Sequence, residues 1–267
     1  MSHRISVIMG IYNCAETLPE AIDSILNQTY SDWELILCDD GSSDETAQVA
    51  LRYQQLHPDR IRVIRNEKNM GLNFTLNHCL QAAQGEFIAR MDGDDISLPE
   101  RFQREVDFLD SHPEYAIVST QMIYFDADGP FRTGTGEGEP AKASLTRGTP
   151  FCHAPCMVRR EAYEAVNGYA VSEHRLRVED WDLWVRMYSR GFRGYNLGEA
   201  LYMMRDDRNA EGRRKFKYRL NEARVSASAV RALHLSPLNY VWSLRPILVG
   251  LLPKPIYRCL HRRKLNG

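Results

Sequence analysis

Short apolar runs alternate with amphipathic segments through the first 110 residues. Runs rich in β-branched and aliphatic residues, each ending in a polar turn, predict buried strands within residues 4–13, 33–40, 61–71 and 86–95. Between these runs, apolar residues recur at helical spacing, as at Leu18, Ile22 and Ile25. Helices are therefore predicted within residues 15–30, 45–57, 72–85 and 98–113. The alternation predicts an α/β fold built on a mostly parallel, doubly wound sheet.

The second half of the chain is less regular. Residues 115–126 and 192–207 predict strands, and a short helix is predicted to end near Gly168. Residues 129–143 are rich in glycine and proline and predict a mobile loop. A further helix within residues 174–191 has Glu179 and Asp180 at its start.

The charge balance changes sharply near the end of the chain. The protein has 34 Lys and Arg against 35 Asp and Glu, yet residues 213–267 hold 13 of the bases and one acid, Glu222. A basic helical tail predicts an anionic partner, either a nucleic acid or a membrane surface. Residues 235–252 are apolar but contain Pro237 and Pro246, so they suit an in-plane segment better than a spanning one. Packing of these apolar residues on the main domain is the alternative.

The cysteines favour a reducing compartment. Six cysteines are scattered along the chain, and the first residues do not form a signal-peptide pattern. We therefore expect reduced thiols and a cytoplasmic protein. Cys152, His153 and Cys156 lie close together, but no second ligand pair has zinc-like spacing, so no zinc site is predicted.

Acidic residues follow two of the predicted strands at their carboxyl ends. In a parallel sheet these ends form one rim, which would bring Tyr12, Asp40 and residues 92–95 together. Asp92, Asp94 and Asp95 repel one another unless a cation lies between them, and carboxylate oxygens suit Mg²⁺ or Mn²⁺. A solvated acidic turn before a helix is the alternative.

Two other acidic stretches carry candidate chemistry. Asp39 and Asp40 open the sequence DDGSSDET, where an aspartate either accepts a hydrogen bond from a nucleobase or forms an Asx turn. Asp180 is favoured as a carboxylate by the positive end of its helix. An ionised carboxylate that faces a cleft can act as a general base, although it can also simply cap the helix.

Together these stretches resemble a known family. SVIMGIYN, ELILCDDGSSDET, NMGLNFTLNHCL, GEFIARMDGDD, LPERF and EDWDLWVRM stand in the order and spacing of the inverting glycosyltransferases of family 2. The resemblance covers about residues 4–205 and is strongest to bacterial enzymes that assemble O-antigen, capsule or other surface polysaccharide. It implies a GT-A fold, a Rossmann-like and mostly parallel central sheet flanked by helices. It also implies a catalytic domain at residues 1–212, divided near residue 110 into nucleotide-binding and acceptor halves, before the tail at 213–267.

The resemblance also implies roles for individual residues. The nucleotide-sugar would contact Gly10, Tyr12, Asn13, Asp39, Asp40, Asp92 and Gly93. Asp94 and Asp92 would bind Mn²⁺ or Mg²⁺, with Asp95 and Asp206 as secondary ligands. Asp180 would be the catalytic base, and the acceptor or diphosphate would meet His153, Glu179, Trp181 and Arg205. Family members often end this domain with an arginine-x-histidine element, whereas Asp207 follows Arg205 and Asp206 here.

The implied activity is a metal-dependent inverting transfer. A sugar would move from a nucleotide-sugar, with UDP favoured, to a hydroxyl of a glycan or lipid-linked oligosaccharide, forming a β-glycosidic bond. The tail would hold the enzyme peripherally at the inner face of the cell membrane. A non-catalytic sugar-nucleotide-binding or scaffold protein is the main alternative. A nucleotidyltransferase is disfavoured because GIYNCAETLPE lacks a basic residue, and a nucleic-acid partner because the tail lacks a stacking pattern.

Overall fold

A single mixed sheet with helices on both faces forms the body of the protein. The computed structural model describes residues 3–134, 136–206 and 215–252. The strands are β1 (Ile5–Ile11), β2 (Trp33–Asp39), β3 (Ile61–Arg65), β4 (Phe87–Arg90), β5 (Ile96–Ser97), β6 (Ile117–Asp126), β7 (Gly129–Thr133), β8 (Met157–Arg159) and β9 (Gly194–Arg205). Their order across the sheet is β3-β2-β1-β4-β8-β6-β9-β5, with β7 paired to β6.

The first half of the sheet is parallel, as the alternating pattern predicts. β1 pairs in parallel with both β2 and β4, and β2 pairs in parallel with β3. The connecting helices are α1 (Leu18–Leu26), α2 (Thr46–Leu56), α3 (Leu72–Ala82) and α4 (Arg101–Ser111). The predicted strands and helices of this half are therefore confirmed.

The second half mixes strand directions. β6 runs parallel to β9, whereas β8 is antiparallel to both β4 and β6. The loop predicted over residues 129–143 is wrong in part, because Gly129–Thr133 forms β7 and pairs with β6 through a turn at residues 127–128. Pro130 is tolerated because β7 extends from the main sheet as a short flanking strand. β5 and β8 were also missed by the sequence pattern, because they have only two and three residues.

Two apolar layers hold the helices on the sheet. One layer lies under α1 and α4 and includes Ile22 and Phe102, both fully buried. The other lies under α3, α5 (Arg160–Ala165) and α6 (Glu179–Ser189), where Trp184 is fully buried. Burial of such side chains stabilises the fold by roughly 1.5 to 3 kcal/mol each. The helix predicted near Gly168 and the helix with Glu179 at its start are α5 and α6.

The described part of the tail is helical. α7 (Phe216–Ala232) buries Val225 and Ala229 in the second apolar layer, so this helix belongs to the body of the protein. α8 (Val241–Leu251) packs against α7. Among the described helices, none has both the length and the apolar character needed to cross a bilayer. Residues 207–214 and 253–267, which include Asp207 and Cys259, lie outside the described residues.

Candidate functional site

The carboxyl ends of three adjacent strands meet at one edge of the sheet. Ile11 is paired with Asp39, and Ile8 with Arg90, so β1 lies between the two acidic stretches. Tyr12, Asp40 and Asp92 each follow one of these strand ends. The shared rim expected from the sequence is therefore present, and it forms the floor of the candidate site.

The loops after β1 and β2 are joined by hydrogen bonds. Asn13 adopts a left-handed conformation (φ 49°), and its side chain accepts the backbone N–H of Ser43 at 2.9 Å. The Ser42 hydroxyl accepts the Asn13 N–H at 3.0 Å. Tyr12 is left 49% exposed beside this joint. Gly10 lies so close to α3 that a Cβ would be 3.2 Å from the Thr75 methyl carbon.

Asp39 and Asp40 organise the floor around the loop that precedes α3. Asp40 accepts the N–H groups of Met70 and Gly71 at 2.8 and 2.9 Å and the Asn66 amide at 2.8 Å. Asp39 accepts the Ser42 N–H at 3.0 Å and forms an ion pair with Arg65. Both aspartates are buried. Each carboxylate oxygen can accept two hydrogen bonds, so these contacts are compatible with a further hydrogen bond from a nucleobase. The nucleobase contact of the two aspartates stays a prediction.

Loss of the Asp40 carboxylate should weaken the fold. In Asp40→Ala the buried Asn66 amide and the backbone N–H groups of Met70 and Gly71 lose their acceptor, so we expect a destabilisation of about 3 kcal/mol. Urea unfolding would measure it, with exposed Asp59→Ala as the matched control. An unfolding free energy equal to that of the control would contradict this account of Asp40.

The turn at residues 92–95 is fixed by contacts from distant parts of the chain. Arg90 donates to Asp92 at 2.7 Å. A Cβ at Gly93 would lie 2.9 Å from the Cys14 sulfur, and the Thr17 hydroxyl donates to the Gly93 carbonyl at 2.9 Å. A side chain at position 93 would therefore push the turn away from the β1 loop.

Asp95 holds the turn from below. It is 3% exposed and accepts the Tyr202 hydroxyl at 2.8 Å and the Arg205 N–H at 2.9 Å. Burial, followed by the charges of Asp92 and Asp94, raises the pKa of Asp95 to about 8. The predicted role of Asp95 as a secondary ligand stays a prediction, but its contacts already make it the anchor of the turn.

Arg205 is the last residue of β9, and Asp206 follows it beside this turn. The Arg205 guanidinium donates to the Asp94 carbonyl at 3.0 Å and pairs with Glu20 of α1 at 2.8 Å. Asp206 donates its N–H to the Phe125 carbonyl at 2.9 Å. Arg205 thus clamps the turn to α1. The diphosphate contact of Arg205 and the metal contact of Asp206 stay predictions.

Of the three aspartates in the acidic turn, Asp94 is the exposed one. The Arg205 guanidinium donates to the Asp94 backbone carbonyl, not to its carboxylate. Desolvation, followed by the negative charge of Asp92, raises the pKa of Asp94. Two neighbouring carboxylates in this setting suit a hard divalent cation, because the cation removes the repulsion between them. The described residues do not group three His, Cys, Asp or Glu side chains tightly enough to enclose an ion by themselves.

Asp180 lies in the first turn of α6. Burial raises the pKa of its carboxyl group, whereas the N–H of Trp181 and the positive charge of Arg90 favour the ionised form. Glu179 precedes it, and burial followed by the charge of Asp180 raises the pKa of Glu179. A desolvated carboxylate near a helix start is well suited to accept a proton.

His153 and Trp181 complete this side of the cleft. His153 hydrogen-bonds the Tyr169 hydroxyl at 2.9 Å, and burial lowers its pKa well below the usual value. It is therefore neutral near pH 7 and offers hydrogen bonding rather than charge to an acceptor or diphosphate. Trp181 is 6% exposed and donates to the Leu145 carbonyl at 2.6 Å. Its burial limits contact with an acceptor to one edge of the ring, and its assignment stays a prediction.

Arg90 is a central residue of the site that the sequence analysis missed. Its side chain is 5% exposed, and among the described residues no group accepts a hydrogen bond from its Nε. It pairs with Asp92, and its charge lowers the pKa of Asp94, Glu179 and Asp180, so it lies near both the acidic turn and the start of α6. A lone arginine in the apolar strand EFIAR was the available signal, because arginine is almost never buried unless it is paired.

Arg101, from the LPERF stretch, supports Arg90 from below. It is fully buried, donates to the Arg90 carbonyl at 3.0 Å and to the Cys156 carbonyl at 3.4 Å, and pairs with Glu105 at 3.2 Å. It therefore ties the end of β4 to the loop that carries His153.

Comparisons with known proteins agree with the resemblance seen in the sequence. Residues 6–166 match the model of the family described as glycosyl transferase family 2. The chain is 43% identical to the putative glycosyltransferase EpsE of Bacillus subtilis, covering 98% of this chain and 94% of EpsE. It is 27% identical to an Escherichia coli UDP-Gal:α-D-GlcNAc-diphosphoundecaprenol β-1,3-galactosyltransferase, covering 98% of both chains.

Solved structures share the fold. Staphylococcus aureus TarS in complex with UDP-GlcNAc superimposes with a TM-score of 0.72 at 20% identity, covering 94% of this chain and 72% of that one. The mannosyltransferase PcManGT of Pyrobaculum calidifontis, solved with GDP-Man and Mn²⁺, gives a TM-score of 0.68 at 19% identity, covering 99% of this chain and 80% of that one. The chain therefore belongs to glycosyltransferase family 2, and it has the GT-A fold.

Proposed function

We propose that the protein is an inverting glycosyltransferase that acts in surface-polysaccharide biosynthesis. It moves a sugar from a nucleotide-sugar, with UDP favoured, to a hydroxyl of a glycan or lipid-linked oligosaccharide and forms a β-glycosidic bond. The observation that carries the proposal is the position of Arg90, which pairs with Asp92 of the acidic turn at 2.7 Å and whose charge also favours the ionised form of Asp180 at the start of α6. The base and the leaving group of a displacement reaction would thereby lie near one positive charge.

The donor is proposed to lie across the rim formed by the ends of β1, β2 and β4. The exposed ring of Tyr12 offers a surface on which the base packs, and Gly10 and Asn13 shape the loop beside it. Asp39 and Asp40 form the floor near the base, while Asp92 and Gly93 approach the ribose and diphosphate. UDP and UDP-GlcNAc occupy complexes of TarS, which supports UDP as the nucleotide.

Asp94, with Asp92, is proposed to hold Mn²⁺ or Mg²⁺. The exposed Asp94 carboxylate fits such an ion, which proteins often hold through one or two carboxylates and the phosphates of the substrate. When bound, the ion supplies positive charge to the departing nucleotide diphosphate. PcManGT was solved with Mn²⁺, which supports a metal in this fold. Arg90 adds a fixed positive charge on the same side of the cleft.

Asp180 is proposed to take the proton of the acceptor hydroxyl as its oxygen attacks the anomeric carbon. The attack and the departure of the diphosphate occur on opposite faces of the sugar, so an α-linked donor gives a β-linked product. His153 and Glu179 would orient the acceptor through hydrogen bonds. The β-1,3 linkage named for the E. coli relative supports this stereochemistry.

The acceptor and the location follow from the tail and the relatives. The E. coli relative is named for a sugar carried on diphosphoundecaprenol, which supports a lipid-linked acceptor here. The catalytic domain is proposed to span residues 1–212, with α7 packed on it and the basic residues of 213–267 attracting the enzyme to an anionic surface. We place the enzyme in the cytoplasm, peripheral to the inner face of the cell membrane.

The test is nucleotide release from a panel of sugar nucleotides, with Mn²⁺, Mg²⁺ or a chelator, and with donor binding followed by calorimetry. We expect slow hydrolysis of one UDP-sugar that requires the metal. A protein that binds none of the donors would contradict the proposal. A donor that binds but is never hydrolysed or transferred, even with acceptor extracts, would favour the non-catalytic binding or scaffold alternative.

Arg90 should control the pH at which transfer is lost. Because its charge favours the ionised form of Asp180, Arg90→Met should raise the pKa of Asp180 further. The base is active when ionised, so transfer falls as the pH drops through that pKa, and the fall should begin at a higher pH in the variant. The pH profile of kcat measures the shift. Arg90→Lys keeps the charge and is the matched control, and identical profiles in all three proteins would contradict this role.

A further inference from the structure

The last described helix turns a row of apolar side chains away from the protein. Val241, Leu244, Leu248 and Leu251 of α8 are 59%, 54%, 64% and 66% exposed, and Leu238 just before the helix is 83% exposed. The spacing within α8 places these four on one side of the helix. We call these five residues the α8 face. A contiguous exposed apolar patch of this kind is a feature of interaction sites.

The opposite side of α8 is fixed to the body of the protein. A Cβ at Gly250 would lie 3.0 Å from the Phe216 ring, so the two helices are in close contact. Pro246 is buried, and the Arg147 guanidinium stacks 4.3 Å from the centre of the Trp242 ring. The α8 face is therefore the outer surface of a helix whose inner surface is already packed.

The charges around the α8 face identify its partner. Exposed Arg245 lies within α8, and residues 213–267 hold 13 Lys and Arg against one acid. A second copy of the chain on this face would bring two strongly basic tails together, which is unfavourable. Anionic lipid offers both an apolar layer for the leucines and negative headgroups for the bases.

We propose that the α8 face docks in the plane of an anionic lipid bilayer. Its leucines enter the boundary between headgroups and acyl chains, while Arg245 meets the headgroups. This goes beyond a basic tail attracted to a membrane, because it names the helix, its orientation and the side chains that enter the lipid.

Docking through this face also orients the cleft. Arg147, which stacks on Trp242, is two residues before Thr149, whose hydroxyl lowers the pKa of Asp180. On α7, the Asn221 amide donates to the carbonyls of Glu173 and Leu176, just before α6. The acceptor side of the cleft therefore adjoins α7 and α8, beside the bilayer. This orientation rests on the proposed function, whereas the docking itself does not.

The experiment is co-sedimentation of the full chain with phosphatidylcholine vesicles, with and without phosphatidylglycerol, at low and high salt. We expect binding that requires phosphatidylglycerol and weakens with salt. Leu244→Ser/Leu248→Ser should weaken it by about tenfold or more. The matched control is Leu51→Ser/Leu56→Ser, which changes two exposed leucines of α2 and should bind as the wild type does. Light scattering of each protein without lipid reports the oligomeric state.

Three outcomes would overturn the docking. The first is a wild type that does not bind phosphatidylglycerol vesicles. The second is a Leu244→Ser/Leu248→Ser variant that binds them as well as the control does. The third is a wild-type dimer that becomes a monomer in this variant. The third outcome would assign the face to a second copy of the chain. Hydrolysis of the donor in solution is measured separately and should be unchanged in both variants. A wild type that binds no sugar nucleotide would contradict the proposed function without affecting the vesicle result.

Discussion

Asp180→Asn should lower sugar transfer by a factor of about 10² to 10⁴, the range expected when a general base is lost. The asparagine keeps the size and hydrogen-bonding shape of the side chain but cannot accept the acceptor's proton. Donor binding should survive, because the donor is proposed to contact the opposite side of the cleft. Transfer is measured by product formation at saturating donor, and binding by calorimetry.

The stability of Asp180→Asn distinguishes a catalytic role from a structural one. Because burial raises the pKa of Asp180 in the folded protein, the ionised carboxylate costs folding free energy at neutral pH, where the unfolded chain carries it at little cost. The neutral variant should therefore be at least as stable as the wild type near pH 7. Glu161→Gln, in the first turn of α5, is the matched control and should keep full transfer. Near-normal turnover of Asp180→Asn would rule out its role as the base.

Asp94→Asn should abolish most of the metal-dependent chemistry. Removing one charged ligand weakens the stabilisation of the leaving diphosphate, and we expect donor hydrolysis and transfer to fall by about 10² to 10³. We also expect Mn²⁺ to raise the melting temperature of the wild type in the presence of UDP, because a ligand stabilises the state that it binds, and we expect the variant to lose this rise. This second readout does not depend on turnover.

A control variant distinguishes the loss of a metal ligand from the loss of any negative charge at the rim. Glu16→Gln removes one negative charge from the exposed loop after β1 and leaves the acidic turn intact. It should keep both the activity and the Mn²⁺-dependent rise in melting temperature. If Asp94→Asn behaved like Glu16→Gln in both measurements, Asp94 would not be a metal ligand.

The parallel half of the sheet was predictable because its signals are local. Each strand from β1 to β4 is an apolar run that ends in a polar turn, and each following helix carries its own 3.6-residue period. β5, β7 and β8 lack such signals. Each of them is a strand because of its pairing with neighbouring strands in the sheet. The three residues of β8, for example, are a strand because they pair with β4 and β6 on either side.

The residue types of the candidate site could be predicted from the sequence, but the different contacts of the individual residues could not. Asp92, Asp94 and Asp95 look equivalent in the sequence, yet one is paired with Arg90, one is open to the cleft and one is held by Tyr202. These differences depend on partners brought together by the fold. Arg90 was not predicted for the same reason. Its importance comes from the acidic side chains that the fold places around it, and it belongs to no motif.

The anchoring of Asp95 has a consequence for how the protein folds. The side chain and backbone that hold it lie 107 and 110 residues further along the chain. The acidic turn is therefore not a local peptide motif, and it acquires its shape only after β9 has joined β5 and β6. Contacts of such long sequence separation form slowly, because the loop between them must close first. In refolding, competence to bind a cation would thus appear with the final closure of the sheet, as a marker of the native topology.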